Sequence, residues 1–134
     1  MTENNNIVIA GCGYSGSILA LSLAARGHKV IILERKSFSE LYDFKDTRAT
    51  ALTANSIEFF RNIGVYDFLQ DIMQPINDIY VVDNKSEDMI HFGRKELENH
   101  HKMGYLIQNM GFRKKLLDLV KKSPLIEVID SVSY

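Results

Sequence analysis

The sequence predicts an α/β fold that opens with a parallel strand–helix–strand unit. Two short apolar runs rich in β-branched residues, Ile7-Val8-Ile9-Ala10 and Val30-Ile31-Ile32-Leu33, have the texture of buried parallel strands. Between them lies a glycine-rich turn, Gly11 to Gly16, and then a helical stretch from Ser17 to Arg26. That stretch mixes Ile18, Leu19, Leu21 and Leu23 with small Ala20, Ala24 and Ala25. Gly27 follows, where a helix-terminating glycine belongs. A strand, a helix and a second strand within residues 7–33 make a right-handed crossover.

The elements beyond this unit follow from local pattern. Ser37 to Thr53 is polar and has no clear period. Asn55 to Asn62 reads as a helix with Ile57, Phe60 and Ile63 on one side and Gly64 as its stop. A short helix is expected over Tyr66 to Met73, ahead of Pro75. Asp78 to Asp83 and Met89 to Phe92 read as two strands around the Asn84-Lys85 turn, a β-hairpin. Arg94 to Lys102 is a charged loop, and Tyr105 to Gln108 a further strand. Asn109 is a candidate cap for a helix reaching about Lys122, with Phe112, Leu116, Leu119 and Val120 on one face. Lys121-Lys122 suit that helix's C-terminal dipole. Pro124 ends it, and Leu125 to Ile129 is the last strand. Three segments result: residues 1–74 open a nucleotide-binding domain, 75–108 form an inserted β-rich segment, and 109–134 return to the first domain.

Composition sets outer limits. A chain of 134 residues, 46% apolar and 25% charged, is one globular domain or a piece of a larger one. A net charge of -1 gives no electrostatic basis for nucleic-acid binding. A single cysteine, Cys12, rules out an internal disulfide. No run approaches the roughly 20 apolar residues of a membrane span, and Met1 to Asn6 lacks the basic flank of a signal peptide. A cytoplasmic location is the expectation.

Gly11-Cys12-Gly13-Tyr14-Ser15-Gly16 has the form G-x-G-x-x-G, a pattern that gains meaning from the strand before it and the helix after it. Gly11 permits the tight turn, Gly13 lets backbone approach a pyrophosphate, and Gly16 lets helix and strand pack closely. The helix N-terminus offers free N–H groups and a positive dipole end to phosphates. Glu34 ends the second strand, 18 residues after Gly16. A carboxylate there can accept hydrogen bonds from both ribose hydroxyls and repels a 2′-phosphate. The expected fold is therefore a Rossmann-like, FAD- or NAD(P)-binding βαβ domain with an inserted β-rich segment. The plainer alternative is a glycine turn beside a surface glutamate. The fingerprint does not choose between FAD and NAD, and Cys12 reads as an inert turn residue.

Asp46-Thr47-Arg48-Ala49-Thr50-Ala51-Leu52, of the form D-x-R-x-x-A-L, is followed by Ser56, a helix and Ile63-Gly64-Val65. This resembles the ubiquinone-biosynthesis hydroxylases, which belong to the FAD-dependent aromatic hydroxylases typified by para-hydroxybenzoate hydroxylase. Ile76, Ile79, Val81, Asp83, Gly104, Gln108, Arg113 and Leu116 continue the resemblance in order, so it spans nearly the whole chain. It implies FAD as cofactor, NAD(P)H as transient electron donor, and O2-dependent hydroxylation of a small aromatic substrate. It also implies that Gly11, Gly13, Gly16 and Glu34 bind the ADP half of FAD, with Arg35 beside the adenosine. By the same resemblance Arg48 reaches the pyrophosphate and ribityl region, Gln108 the ribityl chain, and Arg113 the same cofactor face. A guanidinium suits phosphate because it forks onto two oxygens and stays charged. A prenylated substrate would bring the enzyme to the inner-membrane surface or into a ubiquinone-synthesising complex.

Each residue also has a plain structural reading: Arg48 as a solvated loop arginine, Gln108 as a strand end, Arg113 as a helix-surface charge. His100-His101 reads as a solvated pair, and two adjacent histidines without a third ligand make a poor metal site. No residue reads as a general acid or base, so none is assigned a catalytic role, and no metal is expected. The family's two later motifs, a D-G segment and a G-D segment, do not occur in the sequence. The chain is therefore expected to be an N-terminal, truncated portion of such an enzyme, with a second chain as one possible source of the rest. The rival expectations are a non-catalytic dinucleotide-binding fragment and another FAD- or NAD-dependent oxidoreductase.

Overall fold

The structure is a computed structural model that describes residues 6–85, 88–93 and 103–133. The expected charged loop at 94–102, with His100-His101, lies outside the described residues. Two sheets and a hairpin share the chain with five α-helices among the described residues.

The first sheet is parallel. Strands β1 (Ile7–Ala10), β2 (Val30–Leu33) and β8 (Ile126–Ile129) stand in the order β1-β2-β8. Ile7 pairs with Val30, and Val30 with Ile126, so the last described strand returns to the first crossover. β2 is central, and Val30 and Ile32 are fully buried on its inner face. Helix α1 (Tyr14–Ala24) packs on this sheet and against α5 (Asn109–Lys122). Phe112, Leu116, Leu117 and Val120 of α5 are buried in the same core. Each such side chain contributes on the order of 2 kcal/mol by leaving water. The buried face of α5 is the expected one with a single exchange: Leu117 is buried and Leu119 only partly so.

The second sheet is antiparallel, in the order β3-β7-β4. β7 (Gly104–Gln108) is central, flanked by β3 (Ala49–Thr53) and β4 (Met73–Ile76). Ile107 of β7 and Leu52 of β3 face the core. Helix α3 (Ala54–Asn62) leaves β3 directly, capped by the Thr53 hydroxyl, which accepts the Ser56 N–H. Ile57 and Phe60 anchor it, and Gly64 stops it in a left-handed conformation at φ 73°. Helix α4 (Tyr66–Leu69) runs into a 3-10 turn at Gln70–Ile72, and Met73 already belongs to β4.

β5 (Asp78–Val82) and β6 (Met89–Gly93) form the expected hairpin as a separate two-stranded sheet. Its side chains are exposed on both faces, apolar ones included. The stretch expected to be irregular, 37–53, holds helix α2 (Phe38–Asp43) and β3. A capping box starts α2: Ser37 Oγ accepts the Glu40 N–H, and the Glu40 carboxylate accepts the Ser37 N–H. Among the described residues no helix is long and apolar enough to cross a membrane.

Candidate functional site

Gly11 leaves β1 with φ 98°, a conformation only glycine adopts without strain, and its N–H donates to the Leu33 carbonyl at 2.7 Å. The turn is thereby tied to the end of β2. Helix α1 starts at Tyr14, three residues earlier than expected, so Gly16 lies inside its first turn. A Cβ on Gly16 would sit 2.0 Å from the Gly11 carbonyl oxygen. Gly16 is thus needed for the turn to fold back on the helix. Gly13 differs from both. Its φ is -77°, open to any residue, and a Cβ there would meet nothing within 4 Å. Neither backbone nor packing requires glycine at 13; the space over it is open. No side chain caps α1, and its first turn holds no acid. Its first N–H groups and positive dipole end therefore face that space with no cap or acid from the helix itself.

Glu34 lies immediately after β2, buried, with its carboxylate turned to the glycine turn. One oxygen accepts the Cys12 N–H at 2.7 Å and the other the Lys36 N–H at 2.9 Å. Burial pushes this carboxyl up, but the N–H groups of Cys12, Lys36 and Arg35 outweigh it and hold the group below its ordinary range. A carboxylate offers about four acceptor positions, so lone pairs remain for sugar hydroxyls. Arg35 is exposed beside it. Cys12 is buried, its thiol is pushed up chiefly by burial, and its sulfur lies 3.6 Å from Ser17 Oγ. It is a packed turn residue.

Two of the other expected residues, Arg48 and Gln108, lie at one end of the antiparallel sheet. Arg48 precedes β3 and Gln108 ends β7. Ala49 pairs with Gln108, so the two polar side chains emerge at one end of that sheet, both from exposed residues. Arg113, one turn into α5, lies over the Tyr14 ring at 5.0 Å and the Phe44 ring at 4.5 Å. It is half-buried on the first residue of α1 and so stands next to the glycine turn.

Three residues that the sequence did not mark as site residues, Asp46, Asn109 and Tyr14, tie these groups together. Asp46 is buried and accepts from Arg48 through Nε at 2.9 Å, Nη2 at 2.8 Å and the backbone N–H at 3.1 Å. Asn109 Nδ2 donates to the same carboxylate at 3.0 Å. The Arg48 guanidinium, then Asn109, hold the Asp46 carboxyl well below the usual carboxylate range, against the opposing effect of burial. Tyr14 Oη donates to the Asn109 carbonyl at 2.8 Å. Asn109 does not cap its helix. Gln108 occupies the cap position without a side-chain bond, and the Asn109 side chain reaches Asp46 and Thr50 instead. The D-x-R spacing was the available signal for Asp46: a carboxylate two residues before an arginine can grip it locally. Among the described residues no cluster of histidine, cysteine or acidic side chains could hold a metal ion.

Two hydroxylases share detectable sequence with the chain. Ubiquinone hydroxylase UbiL of Rhodospirillum rubrum is 30% identical over 120 residues, covering 89% of this chain and 28% of that protein. Ubiquinone hydroxylase UbiM of Neisseria meningitidis is 28% identical over 134 residues, 96% of this chain and 29% of that one. The chain thus spans under a third of the length of these curated relatives. Among solved structures, PqsL of P. aeruginosa in complex with 2-aminobenzoylacetate superposes with a TM-score of 0.75 at 17% identity. The match covers 95% of this chain and 34% of that one. p-Nitrophenol 4-monooxygenase PnpA of Pseudomonas putida gives 0.72 at 17%, covering 95% and 32%. These likenesses establish the mixed α/β fold of FAD-binding proteins. The model of the FAD binding domain family matches residues 4–128, nearly the whole chain, and the chain belongs to that family.

Proposed function

We propose that this chain is the FAD-binding portion of a flavin-dependent monooxygenase that hydroxylates an aromatic ring in ubiquinone biosynthesis. The observation that carries the reading is the crevice at the ends of β1 and β2. There an uncapped helix start, an open glycine at position 13 and a buried carboxylate at Glu34 meet. The residues fit the cofactor chemically: N–H groups and Arg48 suit a pyrophosphate, Glu34 suits ribose hydroxyls, and Gln108 suits a polyol chain. Arg113 and Arg35 complete the basic border of the same region. When bound, FAD would accept electrons from NAD(P)H and carry the activation of O2. The chain's own residues bind, orient and neutralise charge.

The choice of an aromatic substrate and of the ubiquinone pathway is supported by the D-x-R segment around Arg48 and by similarity to UbiL and UbiM. Access to a prenylated ring at a membrane surface is part of the same proposal. The test is thermal melting of the purified chain with FAD, NAD and NADP in parallel, together with inspection for a bound yellow chromophore. Stabilisation by FAD alone is the expected result. Protection by NAD without any response to FAD would replace this reading with that of a nicotinamide-dependent dehydrogenase.

A further inference from the structure

We infer that Asp46 and Asn109 are positioning residues whose task is to present Arg48, pre-oriented, to the anionic part of the cofactor; this rests on reading Arg48 as a cofactor contact. The geometry is unusual for a surface arginine. The Arg48 side chain is 78% exposed, whereas the Asp46 carboxylate it grips is 3% exposed. An exposed ion pair ordinarily contributes little and leaves a long side chain mobile. Here Nε, Nη2 and the Arg48 backbone N–H all bind one buried carboxylate. That fixes the plane of the guanidinium along one edge. Nη1, on the other edge, has no partner among the described residues and is free to donate.

Asn109 braces the carboxylate. Its Nδ2 donates to Asp46, its Oδ1 accepts from Thr50 Oγ1 at 2.6 Å, its N–H donates to the Arg48 carbonyl at 2.9 Å, and its carbonyl accepts from Tyr14. One residue thus bonds to Arg48, to the group that holds Arg48, to β3, and to the first residue of the phosphate-facing helix. Burying a carboxylate is costly unless its partners are in place. A buried acid committed to an exposed cation is explained if that cation must be ordered before a ligand arrives. Ordering an arginine in advance removes a conformational cost from binding.

The test combines two measurements on the full chain. Arginine 15Nε relaxation in the absence of FAD reads orientation directly. Arg48 is expected near the rigid-backbone order of about 0.85, falling below about 0.6 in Asp46→Asn. Titration with FAD, followed by flavin fluorescence, reads the consequence. Arg48→Ala is expected to weaken binding about ten- to a hundredfold, the loss of a charged hydrogen bond. Asp46→Asn and Asn109→Ala are expected to weaken it about three- to tenfold, the cost of ordering one long side chain. Neither should add a further loss in the Arg48→Ala background, whereas a purely structural defect would persist there. Urea melting of each variant accompanies the titration, and the near-isosteric Asp46→Asn carries the result if Asn109→Ala fails to fold.

A mobile Arg48 in the unaltered chain overturns the inference. So does tighter FAD binding by Asp46→Asn, which would mean that Asp46 merely competes with phosphate for the arginine. Unchanged affinity in Arg48→Ala refutes instead the reading of Arg48 as a cofactor contact, and leaves the ordered side chain as a separate, measured fact.

Discussion

The Glu34 carboxylate and the Cys12 backbone N–H are joined at 2.7 Å across 22 residues of sequence. The acid that would grip a ribose therefore also fixes the turn that would cradle the phosphates. Glu34→Gln should separate these roles poorly and harm both. An amide has one oxygen for two N–H donors, so either Cys12 or Lys36 loses its acceptor. The expected loss is about 1–3 kcal/mol of stability by urea unfolding, together with weaker FAD binding. Unchanged stability and unchanged affinity would show that the carboxylate does neither job.

Gly13 and Gly16 should respond in opposite ways to the same substitution. Gly16→Ala places a Cβ 2.0 Å from the Gly11 carbonyl oxygen, so the turn must deform. A cost of about 1–3 kcal/mol, as for overpacking, is expected. Gly13→Ala meets open space and should cost under about 1 kcal/mol, the range for an N-cap change. Its effect should appear in FAD affinity alone. If Gly13→Ala binds FAD as well as the unaltered chain, the space above residue 13 is not where phosphate lies.

Acid should weaken the fold in a defined window. Glu34 and Asp46 both have folded pKa values below their ordinary 4.5 and 3.8. Between the folded and unfolded values the unfolded chain binds more protons, so stability rises with pH there. The contribution is complete above the ordinary values and is lost as pH falls through the folded ones. Urea midpoints should therefore be level at mildly acidic pH and fall below about pH 4.5. Asp46→Asn should flatten the lower part of that fall. An equally steep curve in the variant would assign the acid sensitivity elsewhere.

The β5–β6 hairpin should govern solubility more than stability. Val82 is 68% exposed, Met89 58% and Ile90 57%. Apolar surface of this kind on a short two-stranded sheet invites association. Val82→Lys with Ile90→Lys should raise the concentration at which light scattering begins. The unfolding free energy should stay within about 0.5 kcal/mol of the original, as for other surface changes. A large loss of stability would mean that these side chains pack against something in solution.

The first crossover was legible because its signals are local: β-branched runs, three glycines and a terminal acid, all within residues 7–34. β3 and β4 were not. β3 has one buried side chain, Leu52, and β4 contains Pro75, so neither shows a two-residue alternation. Both exist because they pair with β7, some tens of residues later, and pairing at that distance leaves no local pattern. Helix α2 falls in a stretch expected to be irregular although Ser37 and Glu40 carry a capping signature, because the stretch is too short to show a helical period. The bend that needs Gly11 and Gly16, and the acid Glu34 bonded to it, could be read from spacing. The bond between Asp46 and Asn109 could not, since 63 positions separate the two and it exists only in three dimensions.

The bond from Tyr14 to Asn109 spans 95 residues, so it can form only once nearly the whole described chain has been made. The phosphate-facing bend and its acid are encoded before residue 35 and can assemble early from neighbouring chain. The seat of Arg48 must wait until residue 109 has left the exit tunnel, because Asn109 is what holds Asp46 in place. On the proposed reading, the ribose-binding acid would be encoded well before the residue that braces Arg48, and the bracing could not be complete until residue 109 has been made.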